Sequence, residues 1–220
     1  VNLHYYIEEI PLGTAGSVRN AADFLNNTFL VISGDALTDI DLSQAIRFHR
    51  EKQAVATLVL TVVDSPLEYG VVITDPQGRV IQFLEKPSWG EVFSDKVNTG
   101  IYILEPQIFQ YYKQQQNFDF SKDLFPRLLK DGLPVYGYVA AGYWCDIGNV
   151  KAYQQAHFDV LSGKVRINMP YQCLDNRIWV GTDTRIHQAA DIQGPVLIGD
   201  NCFIGPEVRI EGFSVIGDNV

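Results

Sequence analysis

The sequence predicts an α/β domain with a mostly parallel sheet covered by helices, followed by a parallel β-helix. Three observations carry this. Short apolar runs alternate with helix-period segments over roughly residues 1–165, the pattern of βα units. A turn tetrad, Asp75-Pro76-Gln77-Gly78, joins two strand-like runs; Pro presets φ and Gly accepts φ > 0, so these runs form an inserted hairpin. Beyond residue 165 an apolar anchor recurs every six residues: Val180, Ile186, Ile192, Ile198, Ile204, Ile210 and Ile216.

In chain order, Thr14 to Asn27 places Val18, Ala22 and Leu25 at helical spacing, and Thr28 to Ser33 is a short apolar run expected as a buried strand. Leu42 to Lys52 reads as a helix, with Asp39 and Asp41 as solvated caps before it, and Val55 to Val63 as a second buried strand. Val71 to Thr74 and Arg79 to Leu84 are the arms of the hairpin, and Val97 to Leu104 is a further strand. Asn149 to Ser162 is a helix with Asn149 as N-cap and Gly163 as its stop. In the repeat, glycine follows the anchor at 181, 199, 205 and 217, and a small or medium residue stands four places after each anchor, from Thr184 to Val220. Three such hexads make one triangular coil. The anchor points inward and the glycine is expected to help the chain turn the corner. The chain opens on Val1 inside a strand-like segment and stops within a repeat, so the sequence reads as a fragment at both ends.

Composition narrows the function. With 220 residues, 46% apolar, and 12 Phe, 11 Tyr and 3 Trp, the chain has bulk for a real core. A net charge of −9 and a pI near 4.8 argue against a nucleic-acid or anionic-membrane surface. The longest strongly apolar run, Ala54 to Val63, falls well short of the ~20 residues of a membrane span. Three cysteines, odd in number and far apart, make no disulfide framework, which points to a reducing, cytoplasmic setting.

Several segments could carry chemistry. Pro11-Leu12-Gly13-Thr14-Ala15-Gly16-Ser17 sets two glycines before a helix: either a backbone cradle for a flat or charged ligand, or a tight turn with Thr14 as helix cap. Ile32-Ser33-Gly34-Asp35 places an acid at the end of a strand, where α/β sheets bind ligands. Tyr143-Trp144-Cys145-Asp146-Ile147-Gly148-Asn149 places a second acid before a helix. Two such carboxylates would suit Mg²⁺, which takes few protein ligands and completes its shell with phosphates and water. Each acid could equally be a loop cap. Glu85-Lys86-Pro87 ends a strand; Lys suits a phosphate and Glu a sugar hydroxyl, or the two form a surface ion pair. Asn98-Thr99-Gly100 and Tyr69-Gly70-Val71 open strands and could face a sugar or be purely structural. The four histidines form no metal spacing; His187 reads as an exposed coil residue, Cys145 as a buried strand thiol and Cys202 as core.

Taken in order, PLGTAG, ISGDAL, EYGVV, FLEKP, NTGIY, YWCDIGN and the hexad repeat resemble the sugar-1-phosphate nucleotidyltransferases, closest to the mannose-1-phosphate guanylyltransferase-like group. The resemblance covers essentially the whole chain. It implies a Rossmann-like nucleotidyltransferase domain over 1–165, here lacking its first βαβ unit, and a linker with the start of a left-handed β-helix over 166–220. In this family Gly13, Thr14, Ala15 and Gly16, with Leu12 and Gly34, would bind the nucleotide. Asp35 and Asp146 would hold the catalytic Mg²⁺. Tyr69, Gly70, Glu85, Asn98 and Thr99 would contact the sugar, and Lys86 its phosphate. GTAG in place of GTAD favours GTP, and mannose 1-phosphate follows as the favoured acceptor. The family's Gly-rich G-x-G-T-R-L-x-P loop, which cradles the triphosphate, has no match here. Roughly 60–100 residues are therefore expected upstream, since a βαβ unit takes 30 or more, and the fragment alone is expected to be inactive. A fused phosphomannomutase-like domain downstream and a homo-oligomer built partly through the β-helix are further implications. Two rivals stand beside this reading: a non-catalytic subunit that binds nucleotide sugar, and an acyltransferase that uses the β-helix.

Overall fold

The computed structural model describes residues 2–85 and 94–220. Its contacts divide the chain into two compact units: Val1–Ala36 with Ile40–Ala141, and Leu37–Asp39 with Gly142–Val220.

The first unit is built on a six-stranded sheet. Its strands are β1 (Phe29–Ile32), β3 (Ala56–Val62), β4 (Gly70–Thr74), β5 (Val80–Glu85), β6 (Lys96–Leu104) and β7 (Val135–Val139), with the short β2 (Ala36–Thr38) outside it. The order is β5-β4-β6-β3-β7, with β1 also paired to β6. Among the described pairs of this sheet only β3–β7 is parallel; β1–β6, β3–β6, β4–β5 and β4–β6 are antiparallel. The expected mostly parallel sheet is thus corrected to a mixed one. The reason is that the apolar run of β3, buried from Ala56 to Leu60, reports burial and says nothing about strand direction. The hairpin is present: Asp75 Oδ1 accepts from Gln77 N and Arg79 N, and Gly78 sits at φ +84°.

Strand β1 departs from its expected burial. Leu30 and Ile32 are exposed, because among the described residues β1 pairs only with β6 and it turns alternate side chains outward. Helix α1 (Gly13–Arg19) is shorter than its apolar spacing predicts. After Arg19 the backbone tightens into i→i+3 bonds from Asn20, Ala21 and Ala22, yet Val18, Ala22 and Leu25 still pack on the core. Helix α2 (Leu42–Glu51) is capped by Asp41, whose carboxylate accepts from Ser43 N at 3.0 Å. An aromatic cluster that the sequence reading did not single out completes the unit. Phe118, Phe120 and Phe125 are buried, and Tyr102 of β6 lies 5.0 Å, ring to ring, from both Phe120 and Phe125. Pro126 stands second in helix α3 (Phe125–Lys130), within the first turn, where a missing N–H is tolerated.

In the second unit, β2 pairs with β8 (Trp144–Asp146). Helix α4 (Val150–Ser162) begins at Asn149, which accepts from Ala152 N at 2.9 Å, and ends at Gly163 with φ +80°. Beyond it lie β9 (Gln172–Leu174), β10 (Ile178–Val180), β11 (Arg185–Ile186), β12 (Asp191–Ile192), β13 (Val196–Ile198), β14 (Phe203–Ile204), β15 (Arg209–Ile210) and β16 (Ser214–Ile216). β9 pairs antiparallel with β10, whereas every described pair among β10 to β16 is parallel and joins residues eighteen apart, as in Ile178 with Val196, Arg185 with Phe203, Asp191 with Arg209 and Val196 with Ser214. Three hexads therefore make one turn. Val196, Ile198, Cys202, Ile204 and Ile210 form the interior.

Two glycines of the repeat, Gly181 and Gly199, do different work from the expected corner-turning. The left-handed φ falls three residues after the anchor, at Asp183, Asn201, Glu207, Phe213 and Asn219. Gly181 and Gly199 instead let successive turns approach. A Cβ on Gly199 would lie 2.8 Å from Gly217 C and Asp218 N, and one on Gly181 would lie 2.6 Å from Asp200 N. Asp200 and Asp218 exploit that closeness: Asp200 Oδ1 accepts from Thr182 N, and Asp218 Oδ1 from Asp200 N. A Cβ on Gly217 meets nothing within 4 Å. Gly199→Ala should therefore cost about 1–3 kcal/mol by overpacking, and Gly217→Ala less than about 0.5 kcal/mol. Urea denaturation of the two variants checks the difference.

Candidate active site

Within the first unit, the strand ends bring several predicted residues together. Asp35 is exposed just beyond β1, and Ser33 Oγ donates to its Oδ1 at 2.6 Å. Gly34 beside it is exposed, with open space where a Cβ would stand. Ser33 N donates to Gly100 O at 3.3 Å, which sets the Asn98-Thr99-Gly100 segment of β6 next to this turn.

That segment is a β-bulge. Leu58 of β3 faces Tyr102, but Leu60 faces Asn98, so the ladder slips between them. Gly100 takes φ +75° to make the bulge. Thr99 is buried and donates from Oγ1 to Val59 O at 2.8 Å. Asn98 Oδ1 accepts from Gly100 N at 3.1 Å, and its Nδ2 donates to Tyr102 OH at 2.8 Å. Bulges of this kind re-aim backbone next to sites. Val71 of β4 pairs with Val97, immediately before the bulge, and Gly70 pairs with Glu85 of β5. Tyr69 is half-buried at the start of β4 and Gly70 is buried. Lys86 lies outside the described residues.

The glycine loop is held elsewhere. Ala15 N and Gly16 N both donate to Phe118 O, at 3.0 and 2.9 Å, and Phe118 N donates to Leu12 O at 2.8 Å. Thr14 is not the cap of its own helix. Its Oγ1 donates to Asp119 Oδ2 and accepts from Phe120 N. Leu12, Ala15 and Gly16 are buried; Gly13 is half-buried and Thr14 exposed. A Cβ on Gly13, at φ +73°, would lie 2.7 Å from Phe118 O, and one on Gly16 would lie 2.5 Å from Gln116 O. Both glycines are therefore required by close approach to the 116–118 backbone. Asp119 escaped the sequence reading. It is an N-cap accepting from Ser121 N and Lys122 N, with Asp123, four residues on, reaching back to Asp119 N; an Asp ahead of the Phe120–Leu124 run was the signal that could have revealed it.

In the second unit, Asp146 ends β8 and is half-buried. A Cβ on Gly148 would lie 3.2 Å from Asp146 Oδ2, so the glycine keeps room beside the carboxylate. Cys145 is half-buried rather than buried, since among the described residues β8 pairs only with β2. Cys202 is buried and His187 exposed. Asp41 is a helix cap as expected, but Asp39 is not a solvated one. Its side chain is 8% exposed, and it accepts from Tyr143 N at 2.6 Å and Arg166 N at 2.9 Å. These two backbone donors, Arg166 first, hold the Asp39 carboxyl below the usual 3.8. Asp159, on α4, is also buried. Burial opposes its charge, but Lys164 Nζ at 2.8 Å, Tyr143 OH at 2.8 Å and Gln155 Nε2 at 3.0 Å together keep its pKa low. The Tyr143 hydroxyl is pushed up by burial and by its bond to Asp159.

A carboxyl whose folded pKa is lowered adds stability that is fully present above its unfolded value and is lost as pH falls through its folded one. The second unit should therefore weaken as pH drops from about 4 downward, the range in which Asp39 and Asp159 take up protons. Asp39→Asn should flatten that dependence, as read by urea denaturation at pH 7 and pH 3.

Among the described residues, no three His, Cys, Asp or Glu side chains gather as a metal cage, and no helix is long and apolar enough to cross a membrane. The nucleotidyl transferase family model matches residues 1–163. A UTP–glucose-1-phosphate uridylyltransferase from Synechocystis is 41% identical over 94% of this chain and 55% of its own length. A mannose-1-phosphate guanylyltransferase from Mycobacterium tuberculosis is 34% identical over 100% of this chain and 61% of its own. The chain thus spans little more than half the length of these relatives. The crystal structure of HddC from Yersinia pseudotuberculosis complexed with GMP-PN superposes with a TM-score of 0.58 at 28% identity, covering 69% of this chain and 64% of that one.

Proposed function

Because the chain belongs to the nucleotidyl transferase family, we propose that the whole protein transfers a nucleotidyl group from an NTP to a sugar 1-phosphate. A phosphate oxygen of the sugar 1-phosphate attacks the α-phosphorus, the bond from that phosphorus to the bridging oxygen breaks, and pyrophosphate leaves. Such a step needs positioning and charge neutralisation and no covalent enzyme intermediate. The observation that carries this reading is the family match over residues 1–163, together with the cluster of Asp35, Asn98, Gly70 and Glu85 along the strand ends.

Asp35 and Asp146 are the residues we assign to Mg²⁺. The surroundings of each carboxylate suit a hard ion: Asp35 lies in the turn after β1 with open space at Gly34, and Asp146 ends β8 with room left by Gly148. When bound, the ion would neutralise charge on the phosphates. Lys86 would anchor the acceptor phosphate. Tyr69, Gly70, Glu85, Asn98 and Thr99 would define the sugar pocket, with Asn98 and Thr99 acting through the bulge they stabilise. Leu12, Gly13, Thr14, Ala15, Gly16 and Gly34 remain the assigned nucleotide residues, with Thr14 and Gly34 the exposed ones.

We assign residues 1–165 to the nucleotidyltransferase domain and 166–220 to a linker and a left-handed β-helix. The eighteen-residue parallel register supports that assignment. A homo-oligomer formed in part through the coil, in the cytoplasm, completes the proposal. GTP with mannose 1-phosphate is the favoured pair, on the GTAG segment and the 34% identical guanylyltransferase. The 41% identical uridylyltransferase supports a second reading, UTP with glucose 1-phosphate. A coupled pyrophosphate-release assay on the whole protein, offering GTP, UTP, ATP and dTTP with each sugar phosphate, decides between them. No release with any pair would reject the proposal.

A further inference from the structure

We infer that Asp39 is a positioning residue for the Asp146 carboxylate, acting through Tyr143 and strand β8. The inference rests on the reading that Asp146 holds a divalent cation. Tyr143 stands three residues before Asp146 and directly ahead of β8. All three of its polar atoms are engaged. Its N–H donates to Asp39 Oδ1 at 2.6 Å, its carbonyl accepts from Thr38 Oγ1 at 2.8 Å and Asp39 N at 3.2 Å, and its hydroxyl donates to Asp159 Oδ2 at 2.8 Å. The other oxygen of Asp39 accepts from Arg166 N at 2.9 Å. Asp159 is fixed in turn by Gln155 and Lys164. One residue is thereby tied to β2, to α4 and to the segment after α4.

The physical need for this clamp lies in the strand. β8 has three residues and, among the described residues, pairs only with the equally short β2, so its own ladder is too small to hold a ligand in place. A ligating carboxylate must be held within about 0.5 Å to serve a metal, and partners one step behind a ligand commonly set its affinity. Asp39 supplies two acceptor oxygens to two backbone N–H groups. An amide in its place offers one oxygen and one NH₂, so either Tyr143 N–H or Arg166 N–H would face another donor. The displacement would pass along three peptide units to Asp146.

The test measures Mn²⁺ binding to the whole protein by electron paramagnetic resonance of the free ion, beside kcat as a function of Mg²⁺. Asp39→Asn is expected to raise the Mn²⁺ dissociation constant about tenfold. It should lower kcat most at limiting Mg²⁺ and leave KM for the sugar 1-phosphate within about twofold. Asp41→Ala removes the cap of α2 and lowers the melting temperature, but should leave the Mn²⁺ constant unchanged. If Asp39→Asn does not fold, Tyr143→Phe, which loses only the hydroxyl bond, should shift the constant about threefold in the same direction. Wild-type Mn²⁺ affinity in these variants, with affinity lost in Asp146→Asn, overturns the inference alone. Equal weakening by Asp41→Ala overturns it too, by making the effect one of general stability. Unchanged affinity in Asp146→Asn overturns the metal reading on which the inference stands.

Discussion

Asp146→Asn should lower turnover of the whole protein about a thousandfold while nucleotide-sugar binding weakens only modestly. A divalent cation contributes several kcal/mol of transition-state charge stabilisation, and ~4 kcal/mol is about three powers of ten in rate. Asparagine keeps the shape of the side chain and one oxygen but removes the charge. Binding should suffer less because the proposed contacts to sugar and base are assigned to other residues. The measurement is kcat by pyrophosphate release beside the dissociation constant of the nucleotide sugar. A variant that retains near-normal kcat would reject the metal role of Asp146.

The second large effect is on stability. Gly13→Ala should destabilise the first unit by about 3 kcal/mol. A left-handed backbone costs an L-residue ~1–2 kcal/mol, and φ at Gly13 is +73°. The added methyl would also sit 2.7 Å from Phe118 O, an overlap costing about 1–3 kcal/mol. Urea denaturation reads this loss directly. Were the glycines there chiefly to let a nucleotide approach, the same variant would lose nucleotide affinity at nearly unchanged stability. That outcome would shift the explanation of the glycines from the 116–118 backbone to the ligand.

The contrast between these two predictions shows what the sequence could convey. The hexad period was legible because each anchor must face inward, and a period-six pattern leaves few alternatives. The helix at Val150–Ser162 was legible because Asn149 and Gly163 are strong local signals at its ends. The Asp75–Gly78 turn was legible for the same reason. Strand direction was not, since a run such as Ala56–Leu60 records burial on both faces and is silent about its neighbours. The purpose of a glycine was also hidden. Gly13, Gly16, Gly181 and Gly199 all answer to backbone segments distant in sequence or one coil away, and no local pattern names those partners. Asp39 was misread because an acid before a helix is most simply a cap. Asp41 takes that role two residues later, which freed Asp39 to bind backbone more than a hundred residues away.

Asp35 and Asp146 are proposed to serve one cation. Anomalous diffraction from crystals of the whole protein grown with Mn²⁺ and nucleotide sugar tests it most directly. The account predicts a single strong peak about 2 Å from an oxygen of each carboxylate, with substrate phosphate oxygens completing the shell. A peak bound by one of the two acids alone, or by neither, would contradict it.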